Sequence, residues 1–355
     1  MIQLNNLEEH PSHPYRWVNR FFPPRLDWIQ VEISSLCDAS CIYCPHTALR
    51  SVWRQGLMSR KTFFTLSNFF QYTRHVHLQG WGEPFLHPHF FDFVQATRDT
   101  GCIVGTTTSG QAVTVDMAER LVDEGPDVVA FSVAGCSELS DRYRRGTSFT
   151  KTLRAMETIA NLKEKSRRTT PKIHVAYMLL MSALDEVERI IPLFGNMGVQ
   201  EVIISTLNFV IDPKLREESF LYCDAAKQRK AVEILQESAV PSGAATDIVI
   251  SVNFPPFHQS ERCLENAARS IFISHDGYVH PCVYLGIPLV GPTNGSTPSV
   301  LNFGNIETSS FPGLWRHKNY RRWRRSLRKG KPPMTCTRCG RFISPTQNRP
   351  ALFSF

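Results

Sequence analysis

The chain has 355 residues, 42% of them hydrophobic and 20% charged, and its 40 Lys and Arg outnumber its 32 Asp and Glu. These are values of globular proteins, so they exclude wholesale disorder, and the length suffices for two domains or for one large α/β domain with an appendix. No apolar stretch reaches the roughly 18 residues that a membrane-spanning helix needs. The polar segment from Met1 to Pro14 lacks the apolar centre of a secretory signal. We therefore expect a cytoplasmic protein without a membrane partner.

Short β-rich runs alternate with helical stretches from Trp28 to about Ser205. The predicted strands are Trp28–Ile33, His75–Leu78, Cys102–Thr107, Val128–Val133, Ile173–Leu179 and Glu201–Ile204. The predicted helices are Arg60–Tyr72, His89–Thr100, Asp116–Glu124, Thr150–Lys165, Leu184–Met197 and Asp224–Glu237. Repeated βα units require right-handed crossovers and a parallel sheet. Six units rather than eight predict a partial (β/α)6 barrel of the TIM type, with its active site at the carboxyl ends of the strands.

The alternation stops after Pro241, and the remaining chain predicts a small α+β domain. Residues 270–282 have the pattern of a hairpin with Asp276-Gly277 at the turn, and a helix is expected through Trp315–Leu327. The predicted organisation is an N-terminal arm at 1–27, a barrel at 28–240 and a second domain at 241–355.

Seven of the ten cysteines fall in two clusters, and a disulfide scaffold would need more. Cys37, Cys41 and Cys44 lie within eight residues, directly after the first predicted strand. Three thiolates in one loop can bind three corners of an iron–sulfur cubane and leave the fourth iron open to a ligand. The alternative is a zinc site, since structural zinc requires four ligands and His46 could complete the set.

The C-x3-C-x2-C spacing of this loop resembles the signature of the radical S-adenosylmethionine (radical SAM) superfamily, with Tyr43 as the aromatic residue before the last cysteine. Gly80-Trp81-Gly82-Glu83-Pro84, after the second predicted strand, is similar to the glycine-rich GGEP motif of that superfamily. The glycines would let the backbone approach a ligand closely, and Glu83 would bind the ammonium group of SAM.

Three further SAM contacts follow from the same resemblance. Ser109 ends the third predicted strand where the family often has a T-N-G-like turn, and Ser132 resembles a polar residue of the fourth strand that reaches the ribose. Arg145 resembles the arginine that pairs with the SAM carboxylate, and Arg144 is its rival. All three also fit ordinary turn residues or a solvated arginine. Cys136 is either a buried thiol or a catalytic one, and no other catalytic residue is identified.

The second cluster comprises Cys263, Cys282, Cys336 and Cys339. Its C-x13-G-x4-C segment and distant C-x2-C pair resemble the Twitch domain, the shortened relative of the SPASM extension that follows some radical SAM barrels. The resemblance implies one auxiliary 4Fe-4S cluster, ligated by four cysteines and suited to electron transfer or structure. A zinc ribbon is the alternative.

The positive charge is concentrated in residues 316–331, which contain nine Lys and Arg and no acid, whereas the rest of the chain carries 31 basic and 32 acidic residues. Tyr320, Trp323 and Leu327 recur at helical spacing and predict an amphipathic helix with a solvated charged face. That face can also attract an acidic redox protein, a phosphate-bearing substrate or nucleic acid.

Together the resemblances imply an enzyme that binds SAM at a reduced 4Fe-4S cluster and cleaves it to a 5'-deoxyadenosyl radical, which takes a hydrogen atom from the substrate. With the second 4Fe-4S cluster as electron acceptor, the expected reaction is dehydrogenation of a small biosynthetic intermediate such as a sugar or aminocyclitol. The segment before Trp28 is short for a peptide-recognition domain. A flavodoxin or ferredoxin would supply electrons and dock at Arg316–Lys331. The alternatives are a peptide or protein maturase and a zinc-bearing nucleic-acid-binding protein.

Overall fold

The computed structural model describes residues 25–238, 248–253, 262–288, 300–336 and 339–343. The strands are β1 (Trp28–Val31), β2 (His75–Leu78), β3 (Ile103–Thr108), β4 (Val128–Val133), β5 (Lys172–Leu179), β6 (Val199–Thr206), β7 (Val249–Val252), β8 (Arg262–Cys263), β9 (Ser270–Ile273), β10 (Val279–His280) and β11 (Phe342–Ile343). Nine of these strands form one sheet in the order β10-β9-β1-β2-β3-β4-β5-β6-β7, and β8 pairs with β11.

Helices connect these strands. The α-helices are α1 (Pro45–Ala48), α2 (Arg60–Ser67), α3 (Phe90–Arg98), α4 (Val115–Asp123), α5 (Leu139–Tyr143), α6 (Phe149–Ser166), α7 (Ile190–Phe194), α8 (Ala225–Ser238), α9 (Phe311–Arg316) and α10 (Lys318–Arg328). Short 3-10 helices cover Phe70–Tyr72, Pro84–Leu86, Met181–Arg189, Pro213–Glu218, Val283–Gly286 and Met334–Cys336. Within the described residues, no helix is both long enough and apolar enough to cross a bilayer.

The sheet confirms the partial barrel. Strands β1 to β7 pair in sequence order and in parallel, which is the arrangement that repeated βα units produce. The hairpin of β9 and β10 joins the same sheet, because β9 lies parallel to β1. Gly277, at the predicted turn, has a φ of 83°. The small α+β part is therefore continuous with the barrel.

The predicted domain boundaries stay a prediction. The boundary at residue 240 falls before β7, which extends the barrel sheet beyond the six predicted strands. The arm at 1–27 lies outside the described residues except for its last three positions, and residues 239–247 around the boundary lie outside them as well.

Three predicted helices are each divided in the structure. The expected helix Arg60–Tyr72 consists of α2 followed by the 3-10 segment Phe70–Tyr72. The expected helix Leu184–Met197 consists of a 3-10 segment followed by α7, because Pro192 has no N–H and is tolerated only in the first turn of a helix. The expected helix Trp315–Leu327 is divided between α9 and α10 at His317, whose ψ of 131° is extended. Tyr320, Trp323 and Leu327 are buried, as the amphipathic pattern predicts.

The strand register separates two faces of the barrel sheet. One face carries apolar side chains such as Ile29, Val76 and Val104, which are fully buried beneath the helices. Burial of each such side chain contributes about 1.5 to 3 kcal/mol. The opposite face, which looks inward in a barrel of this type, carries polar groups such as His77 and Thr107, whose Nε2 and Oγ1 atoms are 3.0 Å apart. The barrel interior is therefore polar.

Candidate cofactor and cluster sites

The loop that contains the first three cysteines follows β1 at the carboxyl edge of the sheet. The N–H of Glu83 donates to the carbonyl of Leu36 at 2.7 Å, which joins this loop to the segment after β2. Position 82 requires glycine, because a Cβ there would lie 2.4 Å from the carbonyl oxygen of Ser34 and 2.5 Å from that of Leu36. The predicted role of Gly82 is close approach to a ligand. In the structure its close approach is to the backbone that leads into the cysteine loop.

The other side of the cysteine loop is held by the end of α5 and the residues after it. The N–H of Ile42 donates to the carbonyl of Tyr143 at 2.9 Å, and the N–H of Ser40 donates to that of Arg145 at 2.7 Å. The loop is thus fixed between segments that follow two different strands, β2 and β4. Such bonding preorganises the positions of its three thiols.

Arg144, rather than Arg145, lies at the candidate SAM site. The side chain of Arg145 is exposed to solvent, whereas Arg144 is buried and donates a hydrogen bond of 2.9 Å to the hydroxyl of Tyr43. Cys41 and Glu83 are within electrostatic reach of the Arg144 guanidinium. This geometry favours Arg144 over Arg145, but the contact of either arginine with SAM stays a prediction.

The three thiols fit a 4Fe-4S cluster. Cys41 is buried, and Cys37 and Cys44 are partly buried. Burial, together with negative charge on Cys41, raises the pKa of Cys37 and of Cys44 to about 12. Thiolates in this loop therefore need a nearby positive centre, which the irons of a cluster provide. Three cysteines in one loop are the donor set of a cubane with one open iron.

Glu83 and Ser109, both predicted SAM contacts, are hydrogen-bonded to each other. One carboxylate oxygen of Glu83 accepts from the N–H and the hydroxyl of Ser109, each at 2.8 Å. Its other oxygen accepts from Thr108 at 2.9 Å and from the N–H of Phe85 at 3.2 Å. These bonds oppose the effect of burial, which raises the pKa of Glu83. The carboxylate is held rigidly at the end of β3. Ser132, at the end of β4, is partly buried on the inward face.

Trp81 faces the second cysteine cluster. Its backbone N–H donates to Glu32 at 2.9 Å, and its indole N–H donates to the carbonyl of Val283 at 3.2 Å. Its ring meets the ring of Tyr284 edge-on, with centroids 5.6 Å apart. Gly80 lets the backbone before Trp81 pass close to Glu32, because a Cβ at position 80 would lie 2.3 Å from Cγ of Glu32. Trp81, predicted as a SAM contact, therefore also connects the barrel to the C-terminal part, whereas Gly80, predicted as another, lies against Glu32.

Cys136 is a buried thiol in the structure. Its N–H donates to the carboxylate of Glu186 at 2.7 Å. Burial, followed by the negative charge of Glu186, raises the pKa of Cys136 to about 12. The thiol is therefore protonated near neutral pH, which favours the non-catalytic interpretation.

His46, the fourth ligand in the zinc alternative, is buried and its ring lies edge-on to Trp53, with centroids 5.2 Å apart. Its Nε2 atom has no hydrogen-bond partner among the described residues. In that part of the chain, no group of three or more His, Cys, Asp or Glu side chains is arranged to hold a single metal ion.

The four cysteines of the second cluster come together in the fold. Cys263 ends β8 and is paired with Phe342 of β11, and Cys282 lies two residues after the end of β10. The N–H of Cys339 donates to the carbonyl of Cys336 at 3.2 Å. Burial, together with negative charge on Cys339, raises the pKa of Cys263 and of Cys336 to about 12. Four clustered thiols fit a fully ligated 4Fe-4S cluster by the same charge argument.

The segment around Cys339 is anchored on the barrel. Arg341 forms an ion pair of 2.7 Å with Glu265 and donates to the carbonyl of Asn253, which follows β7, at 3.1 Å. A Cβ on Gly340 would lie 2.4 Å from the carbonyl oxygen of Asn208, after β6. The second cluster therefore lies against the same carboxyl edge of the sheet as the first.

A cavity of about 610 Å³ lies between the β1 end of the barrel and the β9–β10 hairpin. Its wall includes Trp53, Trp81 and Tyr278 and the pair of Glu32 and His275. His275 Nδ1 is 3.5 Å from Glu32. Burial lowers the pKa of His275, but the adjacent Glu32 carboxylate outweighs this effect, so that the pKa is raised. The sequence prediction missed both residues, although an acid within an otherwise apolar strand is a signal for Glu32.

The comparisons with known proteins agree with this arrangement. The sequence model of the radical SAM superfamily matches residues 31–175, which contain the cysteine loop and the Gly80–Pro84 motif. A second model, for an iron-sulfur cluster-binding domain named SPASM, matches residues 263–340 and includes all four cysteines of the second cluster. The chain belongs to the radical SAM superfamily. Members of this superfamily are enzymes, and their cofactors are SAM and a 4Fe-4S cluster, with auxiliary iron–sulfur clusters in the SPASM domain.

Two curated relatives resemble this radical SAM protein over most of their length. A tungsten-containing aldehyde ferredoxin oxidoreductase cofactor-modifying protein from Pyrococcus furiosus is 22% identical over 324 residues, which are 88% of this chain and 87% of the relative. An AdoMet-dependent heme synthase from Oleidesulfovibrio alaskensis is 21% identical over 315 residues, which are 84% of this chain and 76% of the relative.

Two solved radical SAM structures share the fold. Streptococcus suis SuiB bound to S-adenosylmethionine superposes with a TM-score of 0.63 at 13% identity, over 84% of this chain and 68% of SuiB. The enzyme anSMEcpe with AdoMet and the Cp18Cys peptide gives a TM-score of 0.63 at 16% identity, over 89% of this chain and 86% of anSMEcpe. These likenesses support the barrel and its extension.

Proposed function

We propose that this radical SAM enzyme is an oxidoreductase that dehydrogenates a small organic molecule. The observation that carries the proposal is the presence of two cysteine sets of different size, three thiols after β1 and four at the C-terminal part. A three-cysteine cluster keeps an open iron for SAM, whereas a four-cysteine cluster is closed and suits electron transfer. Hydrogen abstraction leaves an unpaired electron on the substrate. A second cluster that accepts this electron favours oxidation over epimerisation.

We propose the residues that would hold each group from the sequence motifs, with support from the contacts around them. The first cluster would be bound by Cys37, Cys41 and Cys44, and the auxiliary cluster by Cys263, Cys282, Cys336 and Cys339. SAM would contact Tyr43, Gly80, Trp81, Gly82, Glu83, Ser109, Ser132 and Arg144. Bound there, the cluster and SAM supply a 5'-deoxyadenosyl radical that removes a hydrogen atom from a C–H bond. The chain itself orients the substrate and excludes water.

The cavity beside Trp81 supports a small substrate. Its volume of about 610 Å³ is within the range of small-molecule sites. The full-length relatives are named for modifying a cofactor and for synthesising heme, which also supports a small molecule. No finding bears on a sugar or an aminocyclitol in particular. The alternative, a peptide maturase, draws on the fold shared with SuiB and anSMEcpe, whose structures include peptide complexes.

An electron donor is required to start each turnover. A flavodoxin or ferredoxin would serve, with residues 316–331 as the docking region because of their nine uncompensated basic side chains.

Anaerobic metal analysis tests the cluster assignment. We expect about eight irons and eight sulfides per chain, and about four of each in the Cys37→Ala/Cys41→Ala/Cys44→Ala variant, since each cubane has four. With dithionite and SAM, the wild type forms 5'-deoxyadenosine and the triple variant does not. Cys136→Ala is the control and keeps both iron and activity. Stoichiometric zinc, or 5'-deoxyadenosine formation by the triple variant, would refute the proposal.

A second assay addresses the substrate class. Cell extract is separated by ultrafiltration into a small-molecule fraction and a peptide fraction, and each is added to the reduced enzyme with SAM. Stimulation of 5'-deoxyadenosine formation by the small-molecule fraction supports dehydrogenation of a small compound. Stimulation by the peptide fraction alone supports the maturase alternative.

A further inference from the structure

Helix α10 and its flanks carry one continuous basic face. Within α10, the exposed basic residues follow at intervals of three and four, so that they share one side of the helix. The basic face consists of Arg316, Lys318, Arg321, Arg322, Arg325, Arg328, Lys329 and Lys331. Among the residues that the structure describes, none of these eight has a carboxylate within 4.0 Å.

The fold does not need this concentration of charge. The opposite side of α10 is buried through Tyr320, Trp323 and Leu327, and Arg324 stacks on Trp315 with its guanidinium 3.5 Å from the ring centroid. Like charges four residues apart, such as Arg321 and Arg325, destabilise a helix by a few tenths of a kcal/mol each. A helix anchored by aromatic packing yet covered with mutually repelling charges indicates an external anionic partner.

The basic face lies over the second cysteine cluster. Helix α10 packs against β8, the strand that ends at Cys263, and Arg328 donates to the carbonyl of Ala268 at 3.1 Å. The buried Tyr320 is within electrostatic reach of Cys282. The chain then runs from the end of α10 to Cys336 within eight residues. Three of the four cysteines thus lie close to α10, the helix that carries the charge.

An exposed apolar residue lies beside this charge. The side chain of Met334 is 90% exposed and precedes Cys336 by two residues. Transient redox complexes bury small interfaces, and their charges act through steering more than through tight contact. A small apolar contact beside a basic face, next to a cluster, matches that type of interface.

We propose that the basic face docks an acidic one-electron carrier protein and that this carrier exchanges its electron with the auxiliary cluster beneath the face. The inference rests on the proposed function for the identity of that cluster. One electron moves in each exchange, so the carrier and the cluster change oxidation state by one unit in opposite directions, and no bond or proton is involved. Nucleic acid would bind the same charges, but nucleic-acid binding does not explain why they lie over the cysteines.

Binding is tested with a purified acidic flavodoxin and the anaerobically loaded enzyme. The dissociation constant should rise steeply between about 50 mM and about 200 mM salt, because exposed charges are screened. Arg321→Glu/Arg325→Glu should weaken binding by roughly tenfold or more, since two attractive charges become repulsive. Lys151→Glu/Arg154→Glu, with the same charge change on the exposed side of α6, is the matched control and should bind as the wild type does. Equal loss in both pairs, or in neither, overturns the docking site.

The destination of the electron is tested by freeze-quench EPR after mixing with reduced flavodoxin. The Cys37→Ala/Cys41→Ala/Cys44→Ala variant retains only the second cysteine cluster, and its signal should develop at the wild-type rate. Arg321→Glu/Arg325→Glu should slow that signal by about the same factor as it weakens binding. Reduction that requires the first three cysteines would overturn the proposed exchange.

Two controls separate this inference from the proposed function. Dithionite needs no docking site, so 5'-deoxyadenosine formation with dithionite should be the same in the wild type and Arg321→Glu/Arg325→Glu. If the wild type forms none, the proposed function fails, while the binding measurements still decide the docking site. A short DNA duplex or an RNA hairpin that binds through Arg321 and Arg325 while flavodoxin does not would overturn the inference in favour of nucleic acid.

Discussion

The indole N–H of Trp81 donates a hydrogen bond to the carbonyl oxygen of Val283 across 3.2 Å, and this bond joins the loop after β2 to the residue that follows Cys282. The two residues are 202 positions apart in the chain. A single side chain therefore connects the predicted SAM loop with a predicted ligand of the auxiliary cluster. Any movement of Trp81 on SAM binding would be transmitted to the second cluster.

Replacement of Trp81 by Phe should lower the stability of the loaded protein. The variant keeps an aromatic ring against Tyr284 but loses the bond to Val283, which is worth about 1 kcal/mol. We expect the midpoint of anaerobic thermal unfolding to fall by about 2 °C. Trp53→Phe is the control. The Trp53 ring belongs to another loop and lies edge-on to Trp81, with ring centroids 6.3 Å apart, and its replacement leaves the bond to Val283 in place. Equal midpoints for Trp81→Phe and wild type would contradict a connecting role.

The neighbouring arginines provide a matched pair for the SAM site. Arg144→Gln removes a buried cation next to Tyr43, whereas Arg145→Gln changes an exposed side chain. A hydrogen bond to a charged group contributes enough that SAM binding should weaken by roughly tenfold to hundredfold in Arg144→Gln. Arg145→Gln should change it by about twofold at most. Equilibrium dialysis with labelled SAM, at equal iron content, measures both. A larger loss in Arg145→Gln would restore the original sequence prediction.

Gly82→Ala should disrupt the first cluster. The added Cβ would meet two backbone carbonyls, which cannot move aside as a flexible side chain would, at 2.4 and 2.5 Å. We expect iron to fall from about eight to about four per chain, because the second cluster has its own ligands. Gly313→Ala is the control, since its Cβ would meet only the Ser310 hydroxyl at 3.3 Å. Full iron content in Gly82→Ala would show that the loop tolerates a shift.

The local pattern of the sequence was sufficient for the barrel strands and the cysteine sets. Val128–Val133 is a strand over the predicted residues, because β-branched and aromatic side chains in a short run between polar segments favour extended structure. Cysteine spacing identifies candidate ligands because the number of residues between two cysteines is read directly from the sequence. The strand β7 has the same β-branched character in Val249, Ile250 and Val252, but the prediction ended the barrel before it, and its pairing with β6 shows that it extends the sheet.

Tertiary contacts decide what the sequence pattern left open. Arg144 and Arg145 are adjacent, and which of them is buried depends on the path of the chain after α5. The pairing of Glu32 with His275 joins positions more than 240 residues apart, through the parallel alignment of β1 and β9. Spacing within one segment contains no information about such pairs.

The pair of Glu32 and His275 should make stability depend on pH. The pKa of His275 is lowered by burial but raised more by the adjacent Glu32 carboxylate, with a smaller contribution from Asp276. A histidine whose folded pKa is raised contributes stability below its unfolded pKa and loses that contribution as pH rises through the folded value. The unfolding midpoint of the wild type should therefore be higher than that of Glu32→Gln. The difference should be largest at about pH 6 and should shrink towards about pH 9.

Thermal unfolding of both proteins across that pH range measures the effect, and the difference between them cancels the titration of other histidines. Arg54 and Asp276, the other charged groups that act on His275, are unchanged in Glu32→Gln. His89→Gln provides the control, because His89 and Asp92 form an exposed pair at 3.1 Å on the surface of α3. A difference between wild type and Glu32→Gln that grows with pH would show that His275 is neutral in the folded protein and that the pair is not ionic.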